Sequence, residues 1–167
     1  MKWICCLALV LGCTATTGNS AKGDDGMTTP PTSSDPPHPA PKGPPAKVTV
    51  GSTAVDVEVV ATEAKIERGL MYRQNLPPDS GMLFLMGKEW DWAFWMRNTL
   101  ISLDIIFITK DMRVAGVAAN AKPQDDTLLK VGVPSLYVLE VNAGWAAAHQ
   151  VSTGSPVKFE NVPTRTM

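Results

Sequence analysis

The stretch DIIFI at residues 104–108 decides the fold, because four consecutive apolar residues follow a single carboxylate. Successive side chains of a strand lie on opposite faces of a sheet. A run that is apolar at successive positions therefore predicts a central strand buried on both faces. A turn at residues 109–112 then leads into a second strand-like run at residues 113–117, which predicts a β-hairpin.

Further strand patterns lie on both sides of this hairpin. Residues 54–59 alternate apolar and acidic side chains, the period of a half-exposed strand. A polar loop at residues 120–135 separates the hairpin from the later strands. Short apolar runs predict three more strands, at residues 82–85, 136–141 and 157–160.

Two helices are predicted beside these strands. Thr62 can cap a helix from Glu63 to about Tyr72, and Gly69 within it suggests close packing. A shorter helix is expected to end at His149. The pattern therefore predicts an α+β domain with a compact antiparallel or mixed sheet that could close into a barrel, and one or two short helices.

Four blocks of this domain resemble the signature blocks of domain-of-unknown-function family 192. They are EAKIERGLMYR at residues 63–73, GMLF at 81–84, FWMRNTLISLDIIFI at 94–108 and LEVNAGW at 139–145. Arg97 stands where lysine is common in the family, and Ser102 where it usually has proline. The resemblance implies a bacterial or archaeal protein, often made with a signal or lipoprotein leader, and it implies no established activity.

The length and the net charge of the chain limit the number of domains and the kinds of partner that we expect. The chain has 167 residues, enough for one ordinary domain with additional segments. Lys and Arg total 15 against 16 for Asp and Glu, so the chain lacks the net positive charge that draws proteins to phosphate backbones. We therefore expect no nucleic-acid partner.

The first thirteen residues are typical of an export signal. Lys2 precedes an apolar run at residues 3–12, which is too short to span a bilayer as a helix. VLGC at residues 10–13 resembles the lipobox of bacterial lipoproteins, although Val10 stands where leucine is usual. We expect Cys13 to be acylated and to anchor an exported protein to a membrane of the bacterial envelope. The alternative is an ordinary cleaved signal, which would give a secreted or soluble periplasmic protein.

The next segment, residues 14–47, is predicted to be a disordered tether. It contains eight of the fourteen prolines of the chain, mixed with Gly, Ser, Thr and Asp. Such a composition has little apolar surface to bury against its conformational entropy. Residues 48–167 are then the single folded domain. All three cysteines fall within residues 1–13, so this domain has no disulfide, thiol nucleophile or thiolate metal site.

An aromatic cluster gives the first candidate binding surface. If the segment is extended, Trp90, Trp92 and Phe94 share one face and Trp95 lies on the other. The shared face could stack on a sugar or a peptide while Trp95 joins the core. The alternative is that all four side chains only pack within the domain.

Polar residues beside the apolar segments give the second candidate. The set comprises Arg68, Arg73, Arg97, Asn98, Thr99 and Asp104. Asp104 begins an apolar strand, where an unpaired carboxylate would be costly, so we expect one of the three arginines to hold it. Catalysis would most plausibly use Asp104 together with Glu140, because both lie on predicted strands.

Other catalytic patterns are missing from the sequence. His149 is the single histidine of the predicted domain, and we find no nucleophile elbow, no metal-ligand spacing and no phosphate-binding glycine loop. We therefore expect no metal and no cofactor, and leave open whether the protein is an enzyme. The preferred interpretation is an envelope-anchored binding or structural module for glycan or peptide. The alternative is an envelope hydrolase that uses Asp104 and Glu140.

Overall fold

The computed structural model describes residues 44–163. The predicted leader, including Cys13, and nearly all of the predicted tether lie outside the described residues. The folded domain begins at Ala46, two residues before the expected boundary at residue 48. None of its helices has the length and apolar character needed to cross a membrane, as far as the described range extends.

Seven strands and two short helices make up the described part of the chain. In chain order they are β1 Ala46–Val50, β2 Thr53–Val60, α1 Glu63–Arg68, β3 Ser80–Trp90, β4 Leu103–Ile108, β5 Val114–Ala121, β6 Ser135–Asn142, α2 Trp145–Ala148 and β7 Val157–Glu160. The six predicted strands are all present. Strand β1 is an addition, and β3 is much longer than predicted because it continues through the polar residues that follow Met86.

The strands form one mixed sheet in the order β5-β4-β6-β3-β2-β1-β7. The pair β2 and β3 is parallel, whereas the other neighbouring pairs are antiparallel. The two end strands approach each other, since Val114 N–H donates to the Ser155 carbonyl and Val157 N–H donates to the Met112 carbonyl. The sheet is therefore curled into a half-barrel.

The predicted central strand is confirmed. All six residues of β4 are buried, and the strand lies between β5 and β6. Its alternate side chains enter two cores: Ile106 and Ile108 pack in one, and Leu103, Ile105 and Phe107 in the other. The first, called the inner core, receives residues from all seven strands and from α2. The second, called the outer core, is covered by the segment that follows α1 and by the loop after β3.

The helices are shorter than predicted, so the fold is mostly β. Helix α1 spans six residues and ends at Gly69, whose φ of 47° and ψ of −131° lie outside the helical region. Leu70 lies after the end of this helix, within the span predicted to be helical, and is buried. Helix α2 has four residues. The compact mixed sheet with two short helices agrees with the prediction, while the helical share of an α+β fold is small.

Candidate functional site

Asp104 is fully buried and is held by backbone N–H groups. Its Oδ1 accepts a hydrogen bond from Asn120 N–H and its Oδ2 accepts one from Ala146 N–H, both at 2.8 Å. Ala146 lies in the first turn of α2, so the carboxylate also fixes the start of that helix. The expectation that an arginine holds Asp104 was wrong, because these two backbone donors occupy its two oxygens.

The three candidate arginines contact other groups. Arg73 makes two hydrogen bonds to Glu58, at 2.6 and 2.7 Å, and these raise the pKa of its guanidinium. The guanidinium of Arg68 lies 5.9 Å from the centroid of the Tyr72 ring. Arg97 makes two hydrogen bonds to Asp126, at 2.8 and 2.9 Å, and these lower the pKa of that exposed carboxyl. Arg73 and Arg97 therefore pair with different carboxylates, and neither carboxylate is Asp104.

Glu140 is buried without a hydrogen-bond partner in the described part of the chain. Burial raises the pKa of its carboxyl to about 8, and Oε2 has no donor within reach. A Cβ atom added at Gly69 would lie 3.8 Å from this oxygen and 3.4 Å from the Phe84 ring. The carboxyl group therefore lies directly beneath the end of α1, at an ordinary contact distance from the position of a Cβ at Gly69.

The structure does not bring Asp104 and Glu140 together. Glu140 is paired with Ile105, whose side chain is in the outer core, so Glu140 faces that core. Asp104 is the preceding residue of β4 and therefore points to the opposite face, as alternation requires. A hydrolytic carboxylate pair must share one cleft. This geometry argues against the two residues as an acid–base pair.

The aromatic side chains that are buried differ from those predicted to be buried. Strand β3 ends at Trp90, so the two-residue alternation does not continue through the cluster. Phe94 packs edge-on against Phe84 and Phe107, with centroid distances of 5.2 and 6.0 Å. Trp95, expected in the core, is 37% exposed. The outer core therefore takes Phe94 rather than Trp95.

Trp90 and Trp92 flank one lysine. The Nζ atom of Lys88 lies 5.4 Å from the Trp90 ring centroid and 5.5 Å from that of Trp92. Trp90 is 60% exposed, whereas Trp92 packs partly on the outer core and donates from Nε1 to the Lys88 carbonyl at 3.2 Å. We call Trp90 and Trp92 the aromatic pair. Trp95 makes a separate cation–π contact, because the Arg97 guanidinium lies 4.1 Å from its ring centroid.

Asn98 and Thr99 lie in the loop after β3 and make hydrogen bonds within it and to other segments. The Asn98 carbonyl accepts from Tyr72 N–H at 2.8 Å, and the backbone of Asn98 has a left-handed φ of 57°. Thr99 is buried, and its hydroxyl lies 3.4 Å from the Arg97 carbonyl, a long hydrogen bond. Asn98 holds the loop after β3 against the segment after α1, and the Thr99 carbonyl accepts from Gln124 N–H at 3.0 Å, so both residues have a structural role.

A groove that the sequence analysis missed lies between the loop before β3 and the start of α2. Its volume is about 440 Å³, and it is lined by Pro78, Asp79, Asn142, Ala143, Gly144, Trp145, Ala148 and His149. Asn142 to Trp145 belong to the LEVNAGW block at residues 139–145, which is the sequence signal for this groove. The described residues contain no cluster of three or more His, Cys, Asp or Glu that could hold a metal ion.

The curled mixed sheet with two short helices defines a small, mostly β domain. The sequence model of domain-of-unknown-function family 192, described as an uncharacterized ACR, matches residues 46–159. The chain belongs to this family, as the four sequence blocks predicted.

Two solved structures resemble the chain. A Novosphingobium aromaticivorans DSM 12444 protein of unknown function is 43% identical, with a TM-score of 0.65 over 67% of this chain and 83% of that one. A Sinorhizobium meliloti 1021 protein, described as a candidate transcription regulator, is 33% identical, with a TM-score of 0.66 over 68% of this chain and 92% of that one. No curated protein matches the chain.

Proposed function

We propose that this domain is a binding module of the bacterial cell envelope and that the aromatic pair binds envelope glycan. The observation that carries the proposal is the 60% exposure of Trp90 beside the partly buried Trp92. A large aromatic side chain contributes most to stability when it is buried. Exposure of an indole on a rigid strand end is therefore better suited to stacking than to packing.

The surroundings of the aromatic pair suit a sugar ligand. An indole face can stack on the apolar face of a sugar ring, while sugar hydroxyl groups need hydrogen-bonding partners. Glu89 and Asp91 flank Trp90 in the chain, and they pair with Lys110 and Lys130 at 3.4 and 3.2 Å. Partly exposed ion pairs of this kind are weak, so the Glu89 carboxylate and the two lysines remain able to bind hydroxyls, whereas Asp91 Oδ1 is buried.

The proposed location in the cell envelope is inferred from the N-terminal leader sequence. The lipobox-like VLGC sequence at residues 10–13 motivates acylation of Cys13, and the Pro-rich segment that follows would hold the domain away from the membrane. The membrane is thus a partner through the lipid anchor, and glycan is the proposed partner of the domain. A soluble periplasmic or secreted protein would carry the same binding site.

The charge of this chain does not favour the role named for the Sinorhizobium protein. A transcription regulator that binds DNA needs a concentration of Lys and Arg on one face, because phosphate contacts supply much of the affinity. Here the net charge is −1. In the described residues, Arg73, Arg97 and Lys130 already pair with carboxylates.

Binding to purified, protein-free cell-wall glycan tests the proposal. We expect sedimentation with the glycan, a change in tryptophan fluorescence, and roughly tenfold weaker binding of Trp90→Ala, which corresponds to about 1.4 kcal/mol. Tyr72→Ala is the matched control, because Tyr72 is 50% exposed and lies outside the aromatic pair. Equal binding of Trp90→Ala and the unmodified protein would reject the site, provided that both variants keep the thermal transition of the unmodified protein.

A further inference from the structure

We propose that the groove between the loop before β3 and the start of α2 binds a small ligand with a primary amine next to a carbonyl, as at the free amino terminus of a short peptide. This site is separate from the aromatic pair and does not depend on the proposed glycan binding. Its walls come from Pro78 and Asp79 on one side and from the segment Asn142–Trp145 with His149 on the other.

Two sets of hydrogen bonds hold the walls of the groove in place. Asp104 fixes the first turn of α2 through Ala146 N–H. The amide nitrogen of Asn142 donates to the carbonyls of Leu76 and Pro77 at 3.1 and 3.2 Å, which ties the loop before β3 to the end of β6. Both walls are therefore positioned before any ligand binds, which lowers the entropic cost of binding.

Trp145 supplies an unused hydrogen-bond donor. Its side chain lines the groove and is 7% exposed, yet its indole Nε1 has no hydrogen-bond partner among the residues that the structure describes. A buried N–H group without an acceptor is unfavourable, so buried polar groups almost always have one. The nitrogen itself has almost no exposed surface, so a ligand carbonyl in the groove would provide that acceptor by displacing the atoms that cover it.

Asp79 and Asn142 supply the complementary acceptors. The Asp79 carboxylate makes no side-chain hydrogen bond or ion pair within residues 44–163, although its backbone carbonyl accepts from Asp56 N–H. The lining residues include no lysine or arginine, so the local charge favours a cation. Because the nitrogen of the Asn142 amide is occupied, the oxygen of that amide remains as a second acceptor for an ammonium group.

His149 completes the polar lining. Its Nδ1 lies 3.3 Å from Thr53 Oγ1 and shares a hydrogen bond with it, which leaves Nε2 for a ligand. The imidazole also packs on the Trp145 indole, with ring centroids 4.6 Å apart. The remaining lining residues, Pro78, Ala143, Gly144 and Ala148, are small or apolar and suit a short side chain such as a methyl group.

The test follows the indole N–H signal of Trp145 by ¹H–¹⁵N NMR, with that signal assigned from the Trp145→Phe variant. The probes are the dipeptide alanyl-alanine and its N-acetylated form. We expect a saturable shift of the Trp145 signal with the free dipeptide and at least roughly tenfold weaker binding of the acetylated form, because acetylation removes the charge that Asp79 recognises. Asp79→Asn should weaken binding of the free dipeptide to a similar extent.

A control variant at a second exposed carboxylate distinguishes a specific contact with Asp79 from an effect of net charge. Asp111 is exposed in the turn after β4, and Asp111→Asn should leave binding of the dipeptide unchanged. Absence of a saturable shift, or equal binding of the free and acetylated dipeptides, would overturn the proposal. Trp90→Ala should bind the dipeptide as well as the unmodified protein, so failure of the glycan site and failure of the groove are distinguishable.

Discussion

Asp104 and Glu140 lie on neighbouring strands but place their carboxyl groups on opposite faces of the sheet. Asp104 is paired with Val141 and Glu140 with Ile105, so each carboxyl enters a different core. Asp104 accepts two backbone hydrogen bonds, whereas Glu140 accepts none in the described residues. The first carboxylate is stabilised by its contacts, and the second is accommodated in its protonated form.

Glu140 should make the stability of the domain depend on pH. Its folded-state pKa of about 8 lies above its ordinary value of 4.5, so the folded state retains a proton that the unfolded state loses between these values. The contribution of Glu140 to the free energy of unfolding should therefore be largest below pH 4.5 and fall as the pH rises to about 8, with a change on the order of a few kcal/mol.

The Glu140→Gln variant removes that ionisation and keeps the shape of the side chain. We expect it to melt at a higher temperature than the unmodified protein at pH 8.5 and to lose most of the fall in stability between pH 5 and pH 8. Glu63→Gln, at an exposed carboxyl of α1, is the control. Parallel melting curves for Glu140→Gln and the unmodified protein across this range would contradict the assignment.

Asp104→Asn should destabilise the domain by about 1–3 kcal/mol, because an amide replaces one of the two acceptor oxygens with a donor that faces a backbone N–H. For a domain of this size the loss corresponds to a fall in melting temperature of at least roughly 4 °C. Differential scanning calorimetry measures it, with Asp111→Asn as the exposed control. A melting temperature unchanged by Asp104→Asn would remove Asp104 from the residues that hold α2.

Gly69→Ala should destabilise the fold because of the backbone conformation of Gly69. Its φ of 47° combined with a ψ of −131° is a conformation that residues with a Cβ rarely adopt, whereas the added methyl would meet the Phe84 ring at an ordinary contact distance of 3.4 Å. Gly51→Ala is the comparison, since Gly51 also has a positive φ, of 61°, and no atom lies within 4 Å of an added Cβ. We expect each variant to lose about 1 kcal/mol or more of unfolding free energy in chemical denaturation. An unchanged free energy of unfolding for Gly69→Ala would contradict this role of the backbone conformation.

Cys13→Ser should release the protein from membranes if Cys13 carries the lipid anchor. A serine at this position cannot form the thioether, so no acyl chain would remain to hold the protein in the bilayer. Fractionation of cells that produce the unmodified protein and the variant measures the effect, with Cys5→Ser as the control. Retention of the Cys13→Ser variant in salt-washed membranes would contradict the prediction.

The positions of most strands could be predicted from local patterns. Residues 54–59 and 104–108 show the alternating and the fully apolar pattern, and they fall within β2 and β4. Strand β1 was missed because it is short and directly follows the Pro-rich segment. The aromatic residues after Trp90 were assigned to the wrong faces because alternation applies only within a strand, and β3 ends there.

The sequence by itself determined where apolar runs form strands and that Asp104 must be buried, because both follow from the spacing of side chains along one strand. Only the tertiary structure decided the partners of that carboxylate, since its two donors lie 16 and 42 residues away in the chain. It also decided that Glu140 lies beneath Gly69 without a hydrogen-bond partner among residues 44–163, and that Asp79 and Trp145 line one groove. Local pattern assigns a side chain to a face of its strand, whereas its neighbours on that face depend on the order in which the strands assemble.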